Sequence, residues 1–157
     1  MLVRAFCLVA SILMILGSAA HAQDKKGGLD PENTLIMQLE TGNVVIELRP
    51  DLAPNHVARI KRLVREGFYD GLLWFRVIKD YIAQTGDPRG NGTGGTGETI
   101  KAEFSKEPHD LGTVSMARKS DPDSADSQFF ISMRRIEGLD GQYTVFGKVV
   151  SGMEFVT

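Results

Sequence analysis

Residues 74–88 read Trp-Phe-Arg-Val-Ile-Lys-Asp-Tyr-Ile-Ala-Gln-Thr-Gly-Asp-Pro, and this stretch decides the fold. Its pattern predicts a short β-hairpin, with one strand over residues 76–78, a turn of two polar residues and a second strand over residues 81–84. Side chains alternate along a strand, so Arg76 and Ile78 point to the same face. A guanidinium group beside apolar side chains needs a partner or a function. Arg76 is therefore the first candidate functional residue.

The rest of the chain supplies further short strands. Residues 34–40 and 43–49 partly alternate around a turn at Thr41 and Gly42, which predicts an antiparallel hairpin. Three more short strands are expected over residues 113–117, 128–133 and 144–150. Many short strands with one early helix indicate a mainly β fold, a closed antiparallel β-barrel capped by helices.

The early helix is predicted to begin at Pro54, because proline suits the first helical position and an apolar stripe with helical spacing follows. The helix ends at Gly67, and its stripe consists of Val57, Ile60, Val64 and Phe68. We expect His56 at the helix surface. The basic side chains outside the stripe are interpreted as a solvated face, with an anionic partner as the alternative; they are Arg59, Lys61, Arg62 and Arg65.

The N-terminus has the pattern of a secretory signal peptide. Arg4 precedes an apolar run over residues 5–16 that is too short to cross a bilayer, and residues 20–22 read Ala-His-Ala, which fits the cleavage pattern. We place cleavage after Ala22, with an uncleaved membrane anchor as the alternative. The protein is then exported. We predict a periplasmic location, with secretion to the exterior as the alternative. The expected order is a signal peptide over residues 1–22, a flexible lead-in over 23–33 and one domain over 34–157.

Composition excludes several classes of function. The only cysteine among the 157 residues is Cys7, so the mature chain has no thiol for disulfides or catalysis. The 18 Lys and Arg residues against 20 Asp and Glu residues give a formal net charge of -2, which argues against nucleic-acid and membrane-surface partners. No Gly-x-Ser-x-Gly, His-Glu-x-x-His or paired-cysteine motif is present. We therefore expect no cofactor and no metal ion.

Two loops contain fragments of ligand-binding motifs. Residues 90–97 read Gly-Asn-Gly-Thr-Gly-Gly-Thr-Gly, but no helix is predicted directly after them, as a dinucleotide site requires. Residues 121–126 carry three aspartates but lack the glycine and the terminal glutamate of a calcium loop. A nucleotide site is therefore not expected, and the second loop is interpreted as a solvated one.

Four motifs, in this order, resemble the cyclophilin-type peptidyl-prolyl isomerases. Besides residues 74–88, they are Gly-Thr-Val-Ser-Met-Ala-Arg at 112–118, Asp-Ser-Gln-Phe-Phe-Ile at 126–131 and Leu-Asp-Gly-Gln-Tyr-Thr-Val-Phe-Gly-Lys-Val at 139–149. The resemblance covers residues 34–157 and implies an enzyme that accelerates rotation about X-Pro peptide bonds in unfolded or flexible protein segments. In this family residues 152–157 would begin a second helix, followed by a last strand, so a C-terminally incomplete barrel is expected.

The resemblance also implies roles for individual residues. The catalytic residues would be Arg76, Gln84 and Phe130, with Gln84 orienting Arg76 and bonding the peptide backbone. The main chain of Ala117 and Arg118 would pair with the residue before proline. No covalent or acid–base step is implied. The apolar pocket for the proline ring would be formed by Tyr81, Ile82, Phe130 and Leu139, with Tyr143 at its rim.

Some positions depart from the common family pattern. Tyr81 stands where many members have phenylalanine, Ile82 where many have methionine and Tyr143 where many have histidine, and all three keep apolar bulk. Gly138 stands where some members carry a large aromatic side chain that binds cyclosporin, so weak cyclosporin binding is expected. The alternative to an enzyme is a binding module that grips proline-containing segments as a chaperone without useful turnover. Retention of the three catalytic residues favours catalysis. We expect the protein to be a monomer.

Overall fold

Seven short strands and one α-helix make up the computed structural model, which describes residues 28–156. The predicted signal peptide lies outside the described residues. Within them, no helix has the length and apolarity needed to cross a bilayer. The elements are β1 (Thr34–Leu39), β2 (Gly42–Leu48), α1 (Pro54–Arg65), β3 (Arg76–Ile78), β4 (Ile82–Thr85), β5 (Thr113–Met116), β6 (Phe129–Ser132) and β7 (Val145–Ser151).

The strands form one antiparallel sheet in the order β1-β2-β7-β5-β6-β4-β3. The sheet is curled into a half-barrel, and its edge strands β1 and β3 do not pair with each other within residues 28–156. The mainly β, antiparallel architecture expected from the sequence is confirmed, as a half-barrel with one α-helix that the described residues do not close. A largely apolar groove of about 680 Å³ lies along β1, and its lining includes Leu35, Trp74 and Phe129.

The predicted hairpins form with the expected partners. The first places Leu39 opposite Gly42, and the second places Arg76 opposite Gln84. The second turn is closed by Asp80, whose φ of 55° lies in the left-handed region that aspartate tolerates better than most residues. Because this turn takes up Tyr81, β4 begins and ends one residue later than predicted.

The main core lies on the face of the sheet that α1 covers. Along β6, Phe129 and Ile131 enter this core, whereas Phe130 belongs to a smaller cluster on the opposite face. The two adjacent phenylalanines therefore serve different faces, as the alternation of side chains along a strand requires. The helix contributes Val57 and Ile60, both nearly inaccessible. Truncating a side chain such as Ile60 to alanine typically costs about 2–5 kcal/mol, so the helix is firmly attached to the sheet.

The prediction that His56 lies at the helix surface is wrong. Its side chain is 0 % exposed, and its Nδ1 lies 2.7 Å from Glu103 Oε2. The same carboxylate accepts the backbone N–H groups of Asn55 and His56, so it occupies the positive N-terminal end of α1. The histidine is buried because a partner 47 positions later in the chain supplies the hydrogen bond.

The basic face of α1 is paired within the chain. Lys61 and Arg65 both contact Glu32, which belongs to the 3-10 turn Pro31–Asn33, and the other two basic residues pair with Glu98. The end of the predicted lead-in is therefore attached to the helix. The solvated-face interpretation agrees with the exposed side chains of Arg62 and Arg65, whose ion pairs typically contribute about 0–1 kcal/mol each. It does not describe Arg59 and Lys61, whose side chains are only 12 % and 18 % exposed.

Candidate active site

Four adjacent strands place one row of side chains on the face opposite the main core. The register aligns Arg76 of β3 with Gln84 of β4, and Gln84 with Phe130 of β6. Phe130 is in turn aligned with Ser115 of β5. Directly opposed residues share a face, and neighbouring strands lie about 4.8 Å apart, so Arg76 stands roughly 10 Å from Phe130 along the sheet. Gln84 occupies the position between Arg76, the predicted catalytic cation, and Phe130 of the predicted apolar pocket.

A chain of side-chain hydrogen bonds orients Arg76. Its Nη1 donates to Gln84 Oε1 at 3.1 Å, and Gln84 Nε2 donates to Gln128 Oε1 at 3.0 Å. Gln128 Nε2 then donates to the carbonyl oxygens of Gly92 and Gly94 at 3.1 and 2.8 Å. A guanidinium can only donate and a carbonyl oxygen can only accept. The two ends of the chain therefore fix the orientation of both amides, and the arginine is held in one direction.

The glycine-rich loop at the end of this chain is held by a buried carboxylate. Asp87 is 1 % exposed and accepts the backbone N–H groups of Arg89, Asn91 and Gly92. Burial raises the pKa of the Asp87 carboxyl, but these N–H groups outweigh it and hold the pKa below its ordinary value. A side chain at Gly94 would collide with the same carboxylate. Gly94 is thus required by the packing of this loop.

Gln128 is the member of this chain that the sequence did not assign. It lies in the motif over residues 126–131, directly before β6. Its side chain contacts Gln84, 44 positions earlier, and the glycine-rich loop more than 30 positions earlier. No local pattern distinguishes such a residue, and only its place beside Phe129 in a recognised motif could have identified it.

The apolar pocket is a cluster separate from the main core. It includes Ile136, which the sequence did not assign, and an edge-to-face pair of the Phe130 and Tyr143 rings with centroids 5.5 Å apart. The structure brings together every residue predicted for the pocket. Its buried members are Ile82, Phe130 and Ile136, and its half-buried members are Tyr81, Ala117, Leu139 and Tyr143.

The predicted peptide-pairing segment borders this pocket. The Ala117 N–H donates to Gln128 O at 2.9 Å, so a bound peptide cannot pair with that group. The Arg118 guanidinium lies 4.9 Å from the ring centroid of Tyr143, within cation–π range, and its Nε donates to Gln142 O at 2.9 Å. The side chain of Arg118 therefore supports the rim aromatic of the pocket.

A polar cavity of about 380 Å³ adjoins the apolar pocket at Ala117, which contributes to both. Gln84, Gln128 and the glycine-rich loop also line it. Within residues 28–156, no group of three or more His, Cys, Asp or Glu side chains is placed to hold a metal ion. The site offers a fixed cation, directed hydrogen-bond donors and an apolar pocket, which together suit an extended peptide with one apolar residue.

Comparison with known proteins agrees with this geometry. The family model described as cyclophilin type peptidyl-prolyl cis-trans isomerase/CLD matches residues 34–157. A probable peptidyl-prolyl cis-trans isomerase of Brucella suis is 50 % identical over 164 residues, covering 97 % of this chain and 82 % of the relative. Peptidyl-prolyl cis-trans isomerase B of Bacillus subtilis is 49 % identical over 120 residues, covering 74 % of this chain and 83 % of the relative.

Solved structures give the same result. A cyclophilin of Hirschia baltica superimposes with a TM-score of 0.74 at 29 % identity, covering 82 % of this chain and 67 % of that protein. A cyclophilin-type isomerase of Cryptosporidium parvum, solved in the presence of the dipeptide Ala-Pro, superimposes with a TM-score of 0.74 at 31 % identity and covers 77 % of this chain and 80 % of that one. The chain therefore belongs to the cyclophilin-type peptidyl-prolyl cis-trans isomerases.

Proposed function

We propose that this isomerase accelerates rotation about X-Pro bonds of exported proteins and that Arg76 is the group that lowers the barrier. The observation that carries the proposal is the cross-strand row in which Arg76, Gln84 and Phe130 share one face. The row places an oriented cation beside an apolar pocket, which is the combination that a proline-containing peptide bond requires.

The chemistry follows from the resistance of the peptide bond to rotation. Nitrogen donates its lone pair into the carbonyl group, and the barrier is about 18–20 kcal/mol. In the twisted transition state the prolyl nitrogen becomes pyramidal and regains that lone pair. A donor directed at this nitrogen stabilises the twisted form more than the planar one, and such differential binding accelerates the reaction. Arg76 suits this role because an arginine keeps its charge and presents a planar fork of donors.

The polar chain behind Arg76 prepares the cation before the substrate arrives. Gln84 is only 8 % exposed, so its hydrogen bond to the exposed Arg76 is partly shielded from water. Gln128 fixes Gln84 in turn. A donor that is already oriented loses little free energy by reorganisation during the reaction, which is the main source of electrostatic catalysis in enzymes.

The apolar pocket has a different role, which is to bind the proline ring. We assign this role to Ile82, Phe130 and Leu139, with Tyr81 and Tyr143 at the margin. The ring is buried to a similar extent in the planar and the twisted peptide. The pocket therefore lowers the free energy of both forms and contributes mainly to affinity.

No proton transfer, covalent intermediate or cofactor is part of this mechanism. Only rotation about the existing amide bond takes place, so atoms and charges balance without an acid or a base. The proposal of an exported substrate rests on the signal-peptide pattern over residues 1–22, and fractionation of the native host is its direct test. A protein found only in the cytoplasm would contradict it.

The experiment that tests the activity uses the mature chain from Gln23 and a short X-Pro peptide. NMR exchange spectroscopy measures the cis–trans rate with and without the protein, against the uncatalysed time of tens to hundreds of seconds. We expect a large acceleration by the wild-type chain and little by a folded Arg76→Ala variant. Peptide binding without acceleration would instead support a chaperone module that lacks useful turnover.

A further inference from the structure

His109 is a fully buried side chain that contacts the pocket and that the proposed mechanism does not use. Its ring stacks on Phe130 with centroids 6.0 Å apart and an angle of 17° between the planes. It also meets the ring of Tyr143 edge-on at 6.4 Å, and its backbone oxygen accepts the Ile136 N–H at 2.8 Å. One residue thus contacts three members of the apolar pocket.

The imidazole of His109 is held at both nitrogens. Nδ1 lies 3.2 Å from Asp140 Oδ1, and Nε2 lies 3.0 Å from Ser115 Oγ. Arg135 binds the Asp140 carboxylate and holds its pKa well below the ordinary value. An ionised carboxylate can only accept, so Nδ1 carries the proton and Nε2 accepts from the Ser115 hydroxyl. Burial lowers the pKa of His109 and outweighs the opposing effect of Asp140, in agreement with a neutral ring.

These two hydrogen bonds determine the plane of the imidazole. Ser115 lies directly opposite Phe130 in the β5–β6 register, and Asp140 directly follows Leu139 in the chain. The imidazole is therefore tied at one end to the strand beside the pocket floor and at the other end to the segment that forms the pocket wall. A ring fixed in this way leaves its stacked neighbour little freedom to rotate.

We propose that His109 is a positioning residue that fixes the ring of Phe130, and the neighbouring wall, in the orientation that receives the proline ring. The inference rests on the proposed function for the identity of the ligand, an X-Pro segment. Because the pocket binds the planar and twisted forms alike, loss of this support weakens peptide binding and raises KM while kcat stays nearly constant. Loss of the Arg76 donor, in contrast, is expected to lower kcat.

The test compares two matched variants, His109→Gln and His56→Gln. His56 is the natural control because it is also 0 % exposed and also bonds a carboxylate through Nδ1, but its partner is Glu103 and its helix covers the main core. Three quantities are measured for each variant: the free energy of unfolding, the Kd of a short X-Pro peptide from NMR titration, and the exchange rate on the saturated protein.

We expect both variants to lose stability but only His109→Gln to weaken the peptide, with Kd and KM rising about two- to tenfold, the range that stacked aromatic pairs typically provide. The exchange rate on the saturated protein should stay within about twofold of wild type, since uniform binding does not enter kcat. An unchanged Kd for a folded His109→Gln, or an equal rise for both variants, would overturn the proposal.

If His109→Gln does not fold, Ser115→Ala tests the proposal instead, because this substitution removes only the hydroxyl that fixes Nε2 of His109. It should raise Kd in the same direction by a smaller factor, and the NMR signals of the Phe130 ring should shift or broaden. No change in either quantity would overturn the proposal. Peptide affinity is measured without turnover, so a wild-type chain that binds the peptide but does not isomerise it would refute the proposed function and leave this test intact.

Discussion

The two ends of the cross-strand row differ in how their side chains are held. All three residues of β3, including Arg76, are exposed, whereas all four residues of β6, including Phe130, are buried. The cation at the exposed edge is oriented by a chain of directed hydrogen bonds through Gln84. The phenyl ring at the other end is held by packing against His109 and Tyr143. Under the proposed mechanism, the exposed end controls turnover and the buried end controls binding.

The largest effect is expected from removing the cation. Arg76→Ala should lower kcat about a hundredfold to a thousandfold, because loss of one donor to a transition state typically costs about 2.7–4 kcal/mol. Since Arg76 lies exposed on an edge strand, the variant should remain folded. The exchange rate of an X-Pro peptide, with circular dichroism as the check on folding, measures this. A folded Arg76→Ala variant with wild-type kcat would show that Arg76 does not lower the barrier.

The next effect concerns the binding end and the inhibitor cyclosporin. Gly138 is exposed, and a Cβ built there meets no atom within 4 Å, so Gly138→Trp should fold. An added indole at a binding surface is typically worth about 2 kcal/mol, roughly thirtyfold in affinity. We expect the wild-type chain to be weakly inhibited, and Gly138→Trp to gain sensitivity by that factor with unchanged turnover.

The control is Glu137→Trp, which places the same indole one residue earlier on the same exposed turn. An equal gain in cyclosporin sensitivity for both variants would mean that the effect of the indole does not depend on its position. Nanomolar inhibition of the unmodified chain would mean that Gly138 does not lie beside the inhibitor. If Gly138→Trp gained no sensitivity to cyclosporin, the weak inhibition would be due to other departures from the family pattern, of which Tyr143 is the first candidate.

A smaller effect is expected from loosening the polar chain. Gln128→Ala removes the acceptor of Gln84 Nε2, which should lower kcat about two- to tenfold, in line with the typical net value of one hydrogen bond, and leave KM unchanged. Gln142→Ala is the matched control, because its side-chain amide donates to Gly138 O and does not belong to the chain of hydrogen bonds behind Arg76. Steady-state kinetics separates the two parameters, and a rise in KM for Gln128→Ala would place this residue at the binding end instead.

The smallest effect is expected from pH, since the proposed mechanism transfers no proton and the lowered pKa of His109 keeps the ring that supports Phe130 neutral near pH 7. The pKa values of His56 and His109 are lowered from 6.5, first by burial, although Glu103 and Asp140 oppose this and Arg59 and Arg135 add to it.

A histidine whose folded-state pKa is lowered stabilises the fold fully above its unfolded pKa, and this stability is lost as pH falls through the folded value. We therefore expect kcat to stay flat between about pH 7 and pH 9, with stability declining only below about pH 6.5. Exchange rates and urea unfolding across this range measure both. A bell-shaped kcat profile with the fold intact would require an acid–base group.

Much of this arrangement could be predicted from the sequence. The alternation around residues 76–84 predicts the hairpin and places Arg76 and Ile78 on one face, and the adjacent phenylalanines must serve opposite faces. Only the register of the folded hairpin brings Gln84 opposite Arg76. The pocket residues could not be assigned from alternation alone, since their assignment came from motifs spread over residues 74–149. Periodicity alone predicts strands but not which strands become neighbours.

The remaining features depend on contacts between distant parts of the chain. His56 was predicted at the surface because a polar residue in the first turn of a helix is usually exposed, and its partner Glu103 comes 47 positions later. The support of the pocket by His109 likewise requires Asp140, 31 positions away. Such pairs have no local pattern, because the burial of each partner is determined by the fold and not by its sequence neighbours.

The most direct test of the division between turnover and binding compares Arg76→Ala with Leu139→Ala under saturating X-Pro peptide. NMR measures the Kd and the cis–trans exchange rate on the bound protein for each variant. We expect Arg76→Ala to keep the wild-type Kd and lose exchange, and Leu139→Ala to bind the peptide more weakly and keep exchange close to wild type. Wild-type exchange on saturated Arg76→Ala would contradict the central claim.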